Sequence, residues 1–181
     1  MPRQEKITKQ ALIDGAFELA SIEGYEAVTA RKLAAHIGCS TQPIFRHYES
    51  MDALLADVYD KALSYYYEYF EQFPAHDSTP FTNLGLAYIR FAQTDKKIFR
   101  LLFLSDVRSG RSMYELLNGE GGYLKHEIAM AEKAGCRNPS HLFMKMWIFI
   151  HGAACMALTD DYDLGEKETV NLLRDAYRKF S

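Results

Sequence analysis

Hydrophobic residues recur at helical spacing along nearly the whole of this sequence. The first segment carries apolar residues at positions i, i+4, i+7 and i+8, which are Leu12, Ala16, Leu19 and Ala20. This spacing predicts an amphipathic helix over about residues 8–22. No stretch alternates apolar and polar residues between hairpin turns, as a strand pattern would. The pattern therefore predicts an all-α fold.

Two short helical segments follow the first one and are separated by a tight turn. Thr29 is a good N-cap for the second helix, and Gly38 supplies the left-handed conformation that ends it. Ser40 can cap a third helix almost at once, because Pro43 is tolerated in a first helical turn. This size and spacing are typical of a helix-turn-helix, although a plain helical hairpin shows the same periodicity.

The remainder of the chain also reads as helices. Ser50 caps a long fourth helix that reaches about residue 73, where a segment with two prolines breaks the pattern. Further helices are predicted over about residues 81–94, 96–104, 123–134, 140–157 and 166–180. The polar, glycine-containing stretch 105–122 predicts a loop, and the nearly all-round apolar character of 140–157 predicts a helix buried on both sides.

Composition divides the chain near residue 50. Of the 12 Tyr, 11 Phe and 1 Trp, only Phe17, Tyr25, Phe45 and Tyr48 precede that point. Basic and acidic residues balance within residues 1–50, so the net charge of -3 belongs to the rest of the chain. This change of character near residue 50 indicates two parts with different roles.

Several classes of protein are disfavoured by the sequence. The apolar stretches are shorter than the roughly 18 residues of a membrane span, and residues 1–20 lack a signal-peptide core, which predicts a cytoplasmic protein without membrane contact. Three cysteines without CxxC spacing indicate neither a disulfide framework nor a zinc site. His126-Glu127 lacks the second histidine of HExxH, and Gly119-Glu120-Gly121 lacks the third glycine of GxGxxG. We expect no catalytic residues, no bound metal and no cofactor.

The third helix carries side chains suited to reading DNA. It begins Thr41-Gln42-Pro43, after which Ile44 turns inward while Phe45 and Arg46 turn outward. Gln can bond an adenine edge through two hydrogen bonds, and Thr and Pro can contact a thymine methyl group. The N-termini of the second and third helices offer free backbone N–H groups to phosphate.

Several motifs within residues 7–60 occur together in one register. They are the EGY turn at 23–25, TARKLA at 29–34, the Gly38-x-Ser40 turn, the run Phe45-Arg46-His47-Tyr48, and Ser50-x-x-x-Leu54. With them the segment resembles the N-terminal DNA-binding domain of the TetR family of transcriptional repressors. The resemblance implies an all-helical homodimer with two heads that read a palindromic operator. It also implies a DNA-binding domain over residues 1–50 and a larger C-terminal domain over residues 51–181 that binds an inducer and pairs the subunits.

The resemblance also implies roles for individual residues of the head. The implied DNA-contacting residues are Thr29, Arg31, Thr41, Gln42, Pro43, Phe45, Arg46 and His47. For His47, a phosphate contact and simple capping of the helix end remain alternatives. Phe45 stands where the family usually has tyrosine, and Met51 replaces a common lysine. Each difference removes a phosphate contact, so we expect affinity to depend more on the basic residues Arg3, Lys6, Lys9, Arg31 and Arg46.

Aromatic and methionine side chains dominate the second part of the chain. We predict that eight residues face a ligand cavity: Tyr66, Phe70, Tyr88, Phe99, Phe103, Tyr114, Trp147 and His151. Trp147 and His151 share a helix face, and the run Trp-x-x-x-His-Gly is similar to the C-terminal domains of one TetR subgroup. The same side chains could form an ordinary core, and for His151 a structural role remains an alternative to ligand contact.

The helices over about residues 140–157 and 166–180 are predicted to pair two subunits in a four-helix bundle, although the second could pack only within its own subunit. Together these features predict a repressor released from operator DNA by a small, largely apolar or aromatic inducer. A ligand-independent DNA-binding protein and a helical sensing or carrier module with a weakened head are the alternatives.

Overall fold

The structure, a computed structural model, describes residues 7–75, 77–107, 112–118 and 123–181. Throughout these ranges the regular backbone structure is helical. The predicted all-α fold is confirmed.

The helices follow the predicted order along the chain. They are α1 (Lys9–Glu23), α2 (Ala30–Ile37), α3 (Gln42–His47), α4 (Met51–Gln72), α5 (Thr82–Thr94), α6 (Lys96–Phe99), α7 (Met113–Asn118), α8 (Tyr123–Lys133), α9 (Pro139–Leu158) and α10 (Glu166–Phe180). A 3-10 turn, Tyr25–Ala27, precedes α2, and a π-helical turn, Arg100–Leu104, continues α6. Helix α7 lies within the stretch 105–122, which was expected to include a loop, and this short helix was not predicted.

The chain forms two compact units. Residues 1–66 and 97–110 make up the first, and residues 67–96 and 111–181 make up the second. Helix α4 contributes residues to both. The predicted division at residue 50 is a division of function, whereas these two units are defined by how compactly their residues pack. The predicted division therefore stays a prediction.

In the first unit, local signals fix the helix ends as predicted. The Thr8 hydroxyl accepts a hydrogen bond from the Ala11 N–H at 3.1 Å, and the Thr29 hydroxyl accepts one from the Lys32 N–H at 3.3 Å. Gly38 ends α2 with φ +77°, a left-handed conformation that favours glycine. The Ser50 hydroxyl accepts a hydrogen bond from the Ala53 N–H at the start of α4.

The predicted N-cap of α3 was wrong by one residue. Thr41, not Ser40, precedes the first helical residue, and it makes no capping hydrogen bond with its side chain. A cap at Ser40 would place Pro43 at the third helical position, where a backbone N–H normally donates to the cap. Proline has no N–H, so the helix begins one residue later.

A close contact at Gly15 joins α1 to α2. A Cβ atom at Gly15 would lie 2.7 Å from Cγ1 and 2.9 Å from Cδ1 of Ile37, so no larger residue fits without displacement. Leu33 of α2 also lies at this contact, with its Cδ1 3.6 Å from the same position. Leu12, Leu33 and Ile44 are fully buried, so each of the first three helices buries an apolar side chain.

The second unit is built around α5, α9 and α10, which pack together. A Cβ atom at Gly85 of α5 would lie 3.0 Å from side-chain carbons of both Ile150 and Leu173, so glycine permits this close packing. The loop before α5 is tied to α10 by an ion pair between the buried Asp77 carboxylate and Arg174. The hydrogen bond from Arg174 lowers the pKa of Asp77 to about 2.

Helix α9 has an apolar surface that the single chain does not cover. One side is buried, but Met144, Ile148 and Met156 lie exposed at intervals of one or two turns, and Ile148 is 67% exposed. Burial on both sides, which the sequence predicts with one face against a partner helix, is not tested by the single chain and stays a prediction. Among the described helices, α9 alone has the length and hydropathy to cross a membrane, and half of it is buried against its neighbours.

We predict that Gly15→Ala lowers the free energy of unfolding by about 1–3 kcal/mol, because the added methyl group overlaps the Ile37 side chain. Urea unfolding of the full chain measures this loss. In an Ile37→Ala background the same change should become neutral or gain about 0.5–1 kcal/mol from helix propensity. An equal loss in both backgrounds would show that the contact with Ile37 is not the cause.

Candidate nucleic-acid interface

Helix α3 presents one buried and several exposed side chains. Ile44 is fully buried, whereas Phe45 is 55% exposed. Thr41, Gln42, Arg46 and His47 are also exposed, and Pro43 is half-buried. The residues expected to read DNA therefore share an accessible surface, while one apolar residue fixes the helix to the core.

The cations of the head differ in how they are paired. The Lys9 Nζ lies 2.7 Å from the Asp57 carboxylate, and the Lys32 Nζ lies 2.5 Å from the Glu23 carboxylate. Within the described residues, Arg31 and Arg46 are exposed and form no ion pair. These two arginines are therefore the cations most available to phosphate. The expected contributions of Arg3 and Lys6 lie outside the described residues.

His47 makes a contact that the sequence did not predict. Its Nε2 lies 3.1 Å from the backbone carbonyl oxygen of Ile7, so the ring joins the end of α3 to the residues that precede α1. The Ile7 carbonyl accepts a hydrogen bond from His47 only when Nε2 carries the proton. The other ring nitrogen, Nδ1, is then the one left for a different partner. A phosphate contact by His47 stays a prediction.

A hydrogen-bonded network ties α3 to α4 and α1. The buried Tyr48 hydroxyl donates to the Asp57 carboxylate at 2.8 Å, and Lys9 pairs with the same oxygen. Burial and the adjacent carboxylate raise the pKa of Tyr48, while the hydrogen bond from Lys9 lowers the pKa of Asp57. Tyr48 was expected to lie in the core, but Asp57 was missed because its partners come from two other helices.

Residues 12–58 match the sequence model of bacterial regulatory proteins of the tetR family. This match covers α1 to α3 and the first part of α4, and it coincides with the exposed α3 surface and its supporting core. Residues 12–58 therefore carry a DNA-binding domain of the TetR type. Regulators of this family bind DNA and are generally not enzymes. Within the described residues, no three His, Cys, Asp or Glu side chains lie close enough together to hold a metal ion.

Solved structures of similar fold extend the likeness to nearly the whole chain. A TetR-family regulator from Vibrio parahaemolyticus is 13% identical, with a TM-score of 0.65 over 92% of this chain and 95% of that one. A TetR-like regulator from Rhodococcus sp. RHA1 is 14% identical, with a TM-score of 0.64 over 99% and 97% of the two chains. A transcriptional regulator from Pseudomonas aeruginosa PAO1 is also 14% identical, with a TM-score of 0.61 over 99% and 97%. At this identity the likeness concerns the fold. A search of curated protein sequences finds no match.

The residues predicted to face a ligand lie in two aromatic clusters, one in each unit. In the first unit, the Phe103 ring centroid lies 5.2 Å from that of Tyr66 and 4.9 Å from that of Phe99. All three side chains are buried. Phe70, near the end of α4, is half-buried in the second unit.

The cluster of the second unit is centred on Trp147. Its ring centroid lies 4.8 Å from that of Tyr88 and 5.5 Å from that of His151, and the Tyr88 hydroxyl shares a hydrogen bond of 2.9 Å with the His151 Nδ1. Phe143 stacks on Trp147, and the half-exposed Tyr114 meets Phe143 edge-on at 6.4 Å. Sequence reasoning missed Phe143, although it lies four residues before Trp147 on the same helical face.

Trp147, the single tryptophan of the chain, can report the protonation of His151. Burial lowers the pKa of His151 below its usual 6.5, so the ring is neutral near pH 7. We predict that Trp147 fluorescence falls with a midpoint below pH 6.5, because protonated imidazole quenches a stacked indole. Since the folded-state pKa is lowered, the neutral ring contributes stability above the unfolded-state pKa, and this stability is lost as the pH falls.

A pH titration of tryptophan emission in the folded protein checks this prediction, with far-UV circular dichroism recorded at each pH. His151→Gln should remove the titration, while His126→Gln, an exposed site on α8, should leave it unchanged. A titration that survives in His151→Gln would contradict the assignment.

Proposed function

We propose that this chain is a TetR-family regulator, a cytoplasmic, ligand-responsive repressor that binds a palindromic operator as a homodimer. The observation that carries the proposal is the exposed face of α3 beside two cations, Arg31 and Arg46, that form no ion pair within the described residues. A small, largely apolar or aromatic inducer releases the repressor from the operator.

In this proposal, α3 lies in the major groove. Gln42 bonds an adenine edge, and Thr41 and Pro43 contact thymine methyl groups. Arg31 and Arg46 contact phosphates, as do the N–H groups at the start of α2, where Thr29 caps the helix. Phe45 has no hydroxyl group to donate to phosphate, so its exposed ring supplies apolar contact alone.

Pairing of α9 and α10 across a twofold axis forms the dimer. The exposed apolar stripe of Met144, Ile148 and Met156 on α9 supports this proposal, because a stripe of large apolar residues at helical spacing is typical of a helix that packs against a partner. On α10, Val170 and Leu173 are buried within the subunit. The contribution of α10 to the dimer would therefore come from its remaining surface.

The Trp147 cluster is the proposed inducer site. Its rings supply apolar surface, and the Tyr88–His151 pair supplies a polar group that can orient the inducer. The two heads must lie about 34–36 Å apart to reach successive major grooves. A swing of α4 that favours a different distance between the heads would prevent both of them from binding successive major grooves. The inducer can shift the equilibrium only by its difference in affinity for the two states.

The head assignment predicts different effects for Gln42→Ala and Arg31→Ala. Gln42→Ala should weaken the free energy of binding to operator DNA by about 1–3 kcal/mol, because it removes a base contact, and should change binding to a scrambled duplex little. Arg31→Ala should weaken binding to both duplexes and reduce the salt dependence by about one phosphate contact. Fluorescence anisotropy with the chain's own upstream DNA, measured at several salt concentrations, separates the two effects.

Lys32→Ala is the matched control, since Lys32 neighbours Arg31 on α2 but already pairs with Glu23. It should change binding less than Arg31→Ala, while all three variants remain dimers of normal thermal stability. Unchanged operator preference in Gln42→Ala together with unchanged affinity in Arg31→Ala would contradict the assignment of these two residues to DNA contact. It would then favour a sensing module whose head no longer reads DNA.

A further inference from the structure

The second unit contains a pocket that the proposed function does not use. It has a volume of about 490 Å³ and lies where the turn after α8, the first two turns of α9 and the end of α10 meet. This volume is within the range of small-molecule sites, which is about 300–1,000 Å³. None of the eight residues predicted to face an inducer lines it.

Arginine, histidine and lysine side chains line this pocket. Arg137 comes from the turn before α9, and His141 and Lys145 lie one turn apart on α9. None of the lining residues, which fall within the described ranges 134–145 and 177–181, is Asp or Glu. Arg137 and His141 are exposed and form no ion pair within the described part of the chain. The pocket therefore has donors for an anion and no carboxylate side chain to compete for them.

Lys145 is held over the pocket by contacts that leave part of its ammonium group available. Its Nζ donates to the Phe180 carbonyl oxygen at 2.9 Å and lies 6.0 Å from the centroid of the Phe180 ring. An ammonium group has three N–H donors, so one bond to a carbonyl leaves two for other partners.

The pocket also has an apolar and aromatic lining. The buried Leu142 side chain and the rings of Tyr177 and Phe180 line it. Burial raises the pKa of Tyr177, and the nearby Cys136 acts in the same direction, so the phenol keeps its proton. A neutral phenol adds a hydrogen-bond donor beside flat apolar surface.

We propose that this pocket binds a small organic anion with a flat aromatic body, whose acidic group lies against Arg137, His141 and Lys145. The guanidinium group can bind a carboxylate, sulfonate or phosphate through two parallel hydrogen bonds. The aromatic body packs against Leu142, Tyr177 and Phe180. This ligand site is separate from the inducer site around Trp147 and goes beyond the proposed function.

A ligand bound in this pocket should stabilise the folded protein, because it would join the three separate segments from which the lining residues come. A ligand that binds only the folded state raises stability in proportion to the logarithm of its concentration above the dissociation constant. It should also shield Cys136, which lines the pocket and is partly exposed.

The test uses the full-length protein with 2-naphthoate and its neutral analogue 2-naphthalenemethanol as probes. Alkylation by iodoacetamide is followed for Cys136 by mass spectrometry, with Cys39 of the first unit as the internal reference. We expect 2-naphthoate to slow alkylation of Cys136 and to raise the melting temperature, while Cys39 is unaffected. Naphthyl phosphate shows whether a phosphate group is preferred over a carboxylate.

Arg137→Gln should weaken 2-naphthoate binding about tenfold, the effect of one hydrogen bond to a charged group. Lys179→Gln is the matched control, because Lys179 is an exposed cation near the end of α10 that does not line the pocket. Equal protection by the neutral analogue would overturn the proposal, as would no protection by 2-naphthoate. Equal loss of affinity in the two variants would also overturn it, because it would show a general charge effect.

Discussion

Helices α1 and α2 touch where Gly15 leaves room for the Ile37 side chain. Helix α3, which follows them, has only six residues, too few to be stable alone in water. Its Ile44 side chain is fully buried, and the Tyr48 hydroxyl at its end donates to Asp57 of α4. The short helix therefore keeps its position through packing and this hydrogen bond rather than through its own helical stability.

The same arrangement explains how an acidic chain carries a DNA-binding head. Lys9 and Lys32 act inside the head, where they pair with Asp57 and Glu23 and hold helices together. Arg31 and Arg46 are exposed and form no ion pair within the described residues, which supports the proposal that they contact phosphate. A head with few available cations binds non-specific DNA weakly, so a larger share of its operator affinity must come from base contacts and from the pairing of two heads. In such a protein, structural stability and DNA binding depend on different basic residues.

The fold was predictable where its causes are local in sequence. The caps at Thr8, Thr29 and Ser50 and the glycine at 38 fix helix ends through contacts within four residues, and the hydrophobic period fixes the buried faces. The start of α3 was misplaced, although the missing N–H of Pro43 was visible in the sequence. That α9 would offer an apolar face to a partner was predictable, but not which residues stay uncovered in the single chain, because an apolar face looks the same whether it packs within the chain or remains exposed.

The sequence predicted which kinds of residue form the candidate sites better than it predicted how those residues are arranged. Family-like motifs place the exposed residues of α3, but the Tyr48–Asp57–Lys9 network and the contact of His47 with Ile7 join residues far apart along the chain. The eight aromatic and histidine positions were predicted to face a ligand cavity, and this stays a prediction. The structure shows ring contacts around Phe103 in the first unit and around Trp147 in the second, and the packing between helices that decides which rings meet is not visible in the sequence.

Selection of bound duplexes from a random DNA library by the full-length protein tests the central claim most directly, because it requires both the reading surface of α3 and the pairing of two heads. The account predicts an enriched inverted repeat whose half-site centres lie one helical turn, about 10–10.5 base pairs, or a multiple of it apart. Enrichment of a single unrepeated half-site, or no enrichment at low salt, would contradict it.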